Sequence, residues 1–457
     1  MSLTLSKVHF TKNSDKTVYL TSALAKQLHL QGRRMLDVRL GRRTITAPVK
    51  PLKRKGKHLY LPLTIRQAIR APKTGNIYLS TTDGGTTVRI GPLIGILTSG
   101  GGTASRPFGT RTYLIREFVN AGNLKGYCFA FTPKDISWED ETILGYFPLP
   151  DGGWTRKTVP LPDVIYNRLA SRSADVSAGI EQLKSRFMRK SIPIFNWSFY
   201  NKWDVYRMLE DEKEAYKHIP ESTINPTPER IKEMLEKHKF IYLKPTGGSL
   251  GKGIYRLTYS PSKGYFARFR RNGTNALLRF SKFSSLMAML GAKQGRLRRY
   301  VAQQGIRLVE IDGSPIDFRF HLVRNDANKW VVAGVGAKKA GKGSVTTHIK
   351  NGGTLLTPQQ ALGQVFKGRA DEVLQRMKDV SIKLAEAIQR NSRHHVGELG
   401  FDLGIDTDER IWMFEANSKP GRSIYKHPAL KEEGRETLSL VFQHCLYLAK
   451  FRKKGSS

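Results

Sequence analysis

The sequence predicts a mixed α+β / α/β protein in three parts. These are a small N-terminal β-barrel, a parallel α/β sheet, and a larger C-terminal unit whose chemistry lies between two sub-structures. Three observations carry this expectation. The first ninety residues contain an internal β-α-β repeat. Residues 91 to about 195 alternate apolar strands with helical segments. Beyond them, a strand delivers Lys244 into a glycine-rich turn, and some 160 residues later another strand ends on Glu415-Ala-Asn417. At 457 residues the chain is too long for one ordinary core, and roughly two to four domains are expected.

In the first part, Val18-Tyr-Leu-Thr and Leu59-Tyr-Leu-Pro begin the two repeat copies. Each is followed by a short amphipathic helix (Ala23 to Leu30; Thr64 to Ala71), a glycine (Gly32; Gly75) and a further strand (Val38-Arg-Leu-Gly; Ile77-Tyr-Leu-Ser). Two such halves interlock into one small barrel over residues 1–90, and the pattern resembles a double-psi β-barrel. In the second part, 91–195, the continuous apolar run Leu93-Ile-Gly-Ile-Leu97 marks a buried strand. Arg111 to Ala121 has helical spacing, and Tyr127-Cys-Phe-Ala-Phe131 and Pro162-Asp-Val-Ile-Tyr166 are further strands. Strands separated by helices imply a parallel sheet. Gly100-Gly-Gly-Thr-Ala-Ser-Arg then falls at the carboxyl end of the first strand, where open α/β sheets bind ligands.

The third part, 196–457, opens with a helix expected from Ser198 to His218 that carries Lys202. A second helix follows Pro226, and a long one runs from about Asp371 to Arg390 with Val373, Met377, Val380 and Leu384 on its core face. The tail from Lys450 is expected to fray.

Composition limits the partners. Hydrophobic content of 39% and charged content of 25% are those of a globular protein. No apolar run approaches the ~18 residues of a membrane span, and Met1-Ser-Leu-Thr-Leu-Ser-Lys lacks a signal-peptide core. With only Cys128 and Cys445, a cysteine-based zinc site is excluded and a reducing, cytoplasmic location is expected. The net charge of +39 predicts attraction for polyanions. The charge is uneven. Residues 251–300 hold 12 Lys/Arg and no Asp/Glu; residues 33–57 hold 10 against Asp37 alone. The first block directly follows the glycine turn.

Three motif matches fail on context. Gly247-Gly-Ser249-Leu-Gly251 fits a nucleophile elbow, but Ile254-Tyr-Arg-Leu-Thr-Tyr after it has strand character where that motif needs a helix. Gly336-Ala-Lys-Lys-Ala-Gly341-Lys342 lacks the Ser or Thr of a phosphate loop. His394-His395 has no further ligand spacing.

The residues that remain suit a magnesium–nucleotide site. Glycines let backbone N–H groups approach phosphates, and a lysine neutralises them. A carboxylate and an amide oxygen suit hard Mg²⁺. Phe401-Asp-Leu-Gly-Ile405 and Ile411-Trp-Met-Phe-Glu-Ala-Asn417 form a hairpin that sets Asp402 opposite Glu415. Alternation expects Met413, Glu415 and Asn417 on one face and Trp412, Phe414 and Ala416 on the other. Facing carboxylates call for a cation between them. Likewise Asp317, Arg319 and His321 share one face of a strand, with Phe318, Phe320 and Leu322 behind.

In this order the elements resemble an ATP-grasp ligase, most closely the endospore coat-associated YheC/YheD group, over residues 91–457. The resemblance implies a pre-ATP-grasp α/β domain at 91–195 and an ATP-grasp fold at 196–457, hinged near 303–306. It implies that Lys202 and Lys244 hold phosphates under the loop of Gly247, Gly248, Ser249 and Gly251. Gln303, Gln304 and Ile306 would receive adenine, although many relatives carry glutamate at this hinge. Asp317 and Arg319 match the family's acid-x-arginine strand, and His348 to Gly353 its polar glycine loop. Asp402, Glu415 and Asn417 would hold Mg²⁺, expected as two ions. Arg319 and Arg422 would act on the transferring phosphoryl group. The implied activity is ATP-dependent amide ligation through an acyl phosphate. The charge suggests an acidic amino acid, peptide or protein as substrate. Coat proteins are implied as partners, in the mother-cell cytoplasm or spore coat. A catalytically silent coat component and a nucleic-acid-binding protein are the competing readings, the last being the least favoured.

Overall fold

The computed structural model describes residues 2–82, 85–246, 253–271, 274–292, 295–341, 344 and 352–452. Four β-sheets follow one another along these residues.

The first is a closed barrel of seven strands among the described residues. Each repeat copy supplies a strand, a short helix and a hairpin: Val18–Thr21, Ser22–Gln27, Met35–Leu40 and Arg43–Leu52, then His58–Leu61, Leu63–Ile69, Gly75–Thr82 and Thr87–Gly91. The halves interlock because Met35–Leu40 of one runs parallel to Thr87–Gly91 of the other, and Val18–Thr21 lies antiparallel to His58–Leu61. Alternate inward residues (Val18, Leu20, Val38, Leu59, Ile77, Leu79, Val88) fill the interior.

The second sheet has Leu93–Leu97 at its centre, parallel to both Tyr127–Phe131 and Val164–Asn167. Helix Thr112–Gly122 makes the crossover, as its apolar spacing predicts. Beyond Tyr127–Phe131 the sheet turns antiparallel, through Thr142–Pro148 and Trp154–Pro160. Its strands are apolar on both faces because both are covered. The barrel core continues into Leu93, Leu97, Phe129 and Ile165. The other face, Ile94, Ile96 and Cys128, packs under the C-terminal helix Lys431–Leu448 through Val441, Phe442 and Cys445. The chain therefore returns from its far end to close this sheet. The start of the tail is also tied down, contrary to the fraying expected of it. Phe451 is 1% exposed, with the Arg89 guanidinium 4.3 Å from its ring centroid. Residues 453–457 of the tail lie outside the described residues.

The third sheet is antiparallel in the order Ser222–Ile224, Tyr300–Gln304, Phe240–Pro245, Tyr255–Ser260, Gly264–Arg271, Thr274–Phe280. Helices Pro228–His238 and Phe283–Met289 cover one face of it. The fourth is also antiparallel, in the order Thr354–Leu356, Trp330–Lys339, Ser314–Arg324, Glu398–Ile405, Ile411–Asn417. Helix Ala370–Arg390 buries Val373, Met377 and Leu384 against Phe318, Phe320 and Phe401.

The helix expected over Ser198–His218 is two shorter ones, Lys202–Leu209 and Lys213–Tyr216. Between them run Glu210, Asp211 and Glu212. Three acidic residues at a helix C-terminus oppose its dipole. Glu212 instead accepts hydrogen bonds from Arg390 at 2.6 and 3.1 Å.

Candidate active site between two antiparallel sheets

The fourth sheet lines up its polar residues by strand register. Gly336, Arg319, Asp402 and Glu415 lie directly opposite one another in one row across four strands, and Gly334, His321, Gly400 and Asn417 in the next. Asp317, Arg319 and His321 share this face, while Phe318, Phe320 and Leu322 enter the core behind it. A bulge next to Asp402 alters the expected alternation. Met413 packs in the core with Ala416, and Phe414 turns towards Gly404 and the open side. A bulge adds a residue, which exchanges the faces of Trp412, Met413 and Phe414 while leaving Glu415 opposite Asp402.

Two side chains of the protein supply the cation that the facing carboxylates require. Arg319 donates two hydrogen bonds to Asp402, Nε to Oδ1 and Nη2 to Oδ2, both 2.8 Å. Lys338 Nζ lies 2.9 Å from Asp402 Oδ1 and 2.9 Å from Asp317 Oδ1. Burial alone would push the Asp402 carboxyl up. Arg319 and Lys338 more than reverse this and hold it well below the usual carboxylate range. Burial would likewise lower Lys338, but Asp317 and Asp402 keep its pKa above that of an ordinary lysine. Sequence reasoning missed Lys338. Its place in the failed phosphate-loop match hid the fact that it stands opposite Asp317 in a strand pair.

Lys244 comes from the third sheet and reaches the fourth. Its ammonium is 5.7 Å from the ring centroid of Phe414, next to Glu415, and 5.7 Å from that of Tyr242. The Gln303 carboxamide holds it there. Its Oε1 accepts from Lys244, and its Nε2 donates to Tyr206 on helix Lys202–Leu209 and to Ser222 Oγ at 3.3 Å. Burial pushes the Tyr206 hydroxyl up to about 12. Gln304 Oε1 accepts from the Glu221 backbone N–H at 3.1 Å. Both amides of the expected hinge are thus engaged within the protein, and Ile306 follows them half-buried. Lys202 is the first residue of its helix; its side chain lies outside the described set. Gly247, Gly248, Ser249 and Gly251 also lie outside the described residues, as do His348, Lys350 and Asn351. The segment after Gly253 is the strand Tyr255–Ser260, antiparallel to Phe240–Pro245, so the turn joins a hairpin and the nucleophile-elbow match fails.

Arg422 belongs to the turn after Asn417. It donates to the Gly434 carbonyl and stacks 4.8 Å from the Tyr425 ring centroid; its Nη1 is buried without a partner. Beneath this turn is a second buried polar cluster. Glu398, fully buried, accepts from Tyr166 and from Arg168 Nη1 (3.1 Å), and its Oε1 lies 2.7 Å from His321 Nε2. His321 Nδ1 lies 2.9 Å from the Tyr425 hydroxyl. The cluster joins the second sheet (Tyr166) to the fourth (Glu398, His321). His394 is no ligand of such a cluster, for it stacks on Trp197 with centroids 3.8 Å apart. Among the described residues there is no group of three or more His, Cys, Asp or Glu that could hold a metal.

Gly400 fixes the turn against the site. A Cβ there would lie 2.6 Å from Pro420 Cβ and 3.2 Å from Arg319 Nη1. Gly400→Ala is expected to displace Pro420 and cost about 1–3 kcal/mol, seen as a lowered midpoint of thermal unfolding.

No helix of the described residues is long and apolar enough to cross a membrane. The family described as YheC/D-like ATP-grasp matches residues 191–448. The chain is 36% identical to the endospore coat-associated protein YheD of Bacillus subtilis (strain 168) over 79% of its own length and 80% of that protein. It is 24% identical to YheC of the same organism over 70% of its length and 87% of that protein. Among solved structures, the VanG D-Ala:D-Ser ligase of Enterococcus faecalis aligns with TM-score 0.44 and 11% identity, over 78% of this chain and 99% of that one. On its matched domain and on its likeness to YheD, the chain belongs to the YheC/D-like ATP-grasp family.

Proposed function

We propose that the protein is an ATP-dependent carboxylate–amine ligase acting on an acidic peptide or protein. The observation that carries this is the approach of Lys244, from one sheet, to the Arg319–Asp402–Glu415 row of another. A cation for phosphate and a set of hard oxygen donors are thereby brought close together. Asp402, Glu415 and Asn417 fit Mg²⁺ by donor chemistry: two carboxylates and an amide oxygen within two adjacent rows of one hairpin. Bound magnesium would offset charge on the phosphate oxygens.

In the reaction, a substrate carboxylate oxygen attacks the γ-phosphorus of ATP. The bond to the bridging oxygen breaks, giving an acyl phosphate and ADP. An amine then attacks the acyl carbon, phosphate leaves, and the amine gives up one proton. Lys202 and Lys244 hold phosphates, and Lys244 is kept aimed by Gln303. The loop of Gly247, Gly248, Ser249 and Gly251 closes over the nucleotide and excludes water. Gln304 and Ile306 present backbone groups to adenine at a hinge near 303–306. Arg319 and Lys338 neutralise Asp402, and both lie where they can turn to the transferring phosphoryl group. Asp317 keeps Lys338 within reach of both, and Arg422 serves the acyl phosphate from the turn. Residues 1–90, with their parallel crossing strands, form a double-psi-like barrel; 91–195 are the pre-ATP-grasp domain and 196–457 the ATP-grasp domain. The protein works in the mother-cell cytoplasm or at the spore coat.

The test is ADP release screened over amino acids and acidic peptides, with mass spectrometry of the product. A condensation product that needs ATP is expected. Glu415→Ala should abolish ADP release with the unfolding midpoint little changed; undiminished turnover rejects the metal assignment. A second reading, a silent coat component, is favoured by one observation: Asp402 is already fully satisfied by Arg319 and Lys338. Under that reading, ATP with magnesium would not raise the unfolding midpoint at all.

A further inference from the structure

The third sheet has one face covered by helices Pro228–His238 and Phe283–Met289, and its core residues Ile241, Leu243, Leu257, Tyr265 and Ala267 point there. On the opposite face, register places Gln303, Tyr242, Arg256, Arg268 and Leu277 side by side across five strands. Phe240, Thr258, Phe266 and Arg279 form the neighbouring row. Lys244 lies on this same face, two residues along the strand from Tyr242. The face therefore begins at the nucleotide lysine and runs outward about 14 Å, three strand spacings, to the last strand.

Arg256 and Arg268 stand directly opposite each other. Like charges in that position destabilise a sheet unless an anion relieves them. Neither makes an ion pair among the described residues. Arg256 lies 4.5 Å over the Phe240 ring with its Nε buried and unpartnered. The 12 cations and absent acids of residues 251–300 leave no local carboxylate to do the job. Among the described residues the outermost strand, Thr274–Phe280, has one hydrogen-bonded neighbour, and it exposes Leu277 at 56% and Leu278 at 39%. An open edge with apolar side chains is the kind of strand that proteins usually protect.

We propose that this face is the docking track for an acidic segment of the polypeptide substrate, one part of which pairs along the Thr274–Phe280 edge beside Arg279 while the part that follows crosses the sheet and lays its carboxylates on Arg268 and Arg256. The proposal rests on the ligase reading for its purpose, because the track leads to Lys244. Arginine forks match carboxylates with two parallel hydrogen bonds. Phe266 and Leu277 lie between the arginines and offer apolar contact to side chains. Only a polypeptide can complete the backbone hydrogen bonds of the edge strand. This favours a peptide over nucleic acid, which could use the charge alone.

The experiment uses the full chain and a fluorescein-labelled oligoglutamate of about ten residues, titrated by anisotropy without nucleotide at several salt concentrations. Binding that weakens as salt rises is expected. Arg268→Glu combined with Arg279→Glu should weaken it by at least about tenfold, as for loss of a charge-assisted contact. Arg270→Glu, at an exposed position at the end of the same face, should weaken it several-fold and serves if the double variant does not fold. Equal oligoglutamate binding by the variants overturns the proposal. So does oligothymidylate of equal charge binding more tightly at the same salt. Turnover is scored separately. Oligoglutamate binding that depends on these arginines in a protein that never releases ADP rejects the ligase reading and upholds the surface. ADP release with acidic peptides that is indifferent to all three substitutions rejects the surface and upholds the ligase.

Discussion

Asp402→Ala is expected to lose ADP release by about 10²–10³-fold or more and to unfold more easily than the parent. The two effects have separate causes. Among the described residues, Asp402 is the one carboxylate that forms an ion pair with both Arg319 and Lys338. Its side chain is only 15% exposed and those of its partners 19% and 14%. Removing it leaves two cations close together in a largely buried place, with Asp317 remaining for Lys338. Breaking a buried pair by deleting one partner typically costs about 3–5 kcal/mol. The ADP loss comes instead from the missing oxygen donors. Asp402→Ala combined with Lys338→Met separates the two. Deleting Lys338 as well leaves Asp317 and Arg319, of opposite charge on one strand face, to compensate each other, so part of the stability should return, but none of the turnover. Urea unfolding and ADP release on the three variants check this. Recovery of turnover in the double variant would mean that Asp402 serves only to neutralise Lys338.

Much of this arrangement was legible because strand register follows from short-range rules. The acidic turn between Ile405 and Ile411 fixes the hairpin, and with it Asp402 opposite Glu415. Period-two alternation sorts Asp317, Arg319 and His321 from Phe318, Phe320 and Leu322. The barrel follows from a repeat that neither half can bury alone. What escaped depends on long-range packing or on one added residue. The bulge that moves Met413 into the core leaves no mark in composition, since methionine and phenylalanine suit either face. Lys338 was obscured because it fell inside the failed phosphate-loop match that begins at Gly336. Gly334 and Gly336 are strand positions kept small for the segment Ser423–Lys426: a Cβ on Gly334 would lie 2.6 Å from the Tyr425 hydroxyl, and one on Gly336 2.7 Å from Ile424. The return of helix Lys431–Leu448 to the second sheet could not be foreseen either, because its apolar face would fit any covered sheet. The same holds for Gln303. An amide at a hinge suggests adenine, and only the fold shows that it spans Lys244 and Tyr206.

The cluster around Glu398 gives the second large expectation, a loss of stability in acid that one substitution removes. Burial alone would raise the Glu398 carboxyl, but Arg168, His321 and Tyr166 reverse this and bring it down to about 2, against 4.5 for an ordinary glutamate. The folded protein thus holds its proton less readily than the unfolded chain. Stability from this group is then complete above about pH 4.5 and disappears as the pH falls towards 2. At 1.36 kcal/mol per unit the span is about 3 kcal/mol. Asp402 acts in the same direction and steepens the loss. Glu398→Gln removes the Glu398 share. It also strands Arg168, whose side chain is 1% exposed, so near neutral pH it should cost about 3–5 kcal/mol. Urea unfolding from pH 7 to pH 2 should therefore show the parent and Glu398→Gln curves far apart at neutrality and converging in acid. Parallel curves would mean that Glu398 titrates alike in both states. Because Tyr166 belongs to the second sheet and His321 to the fourth, the same substitution should loosen the seam between them. Hydrogen exchange should then rise along Val164–Asn167 and Glu398–Ile405 while the strands of the barrel keep their protection.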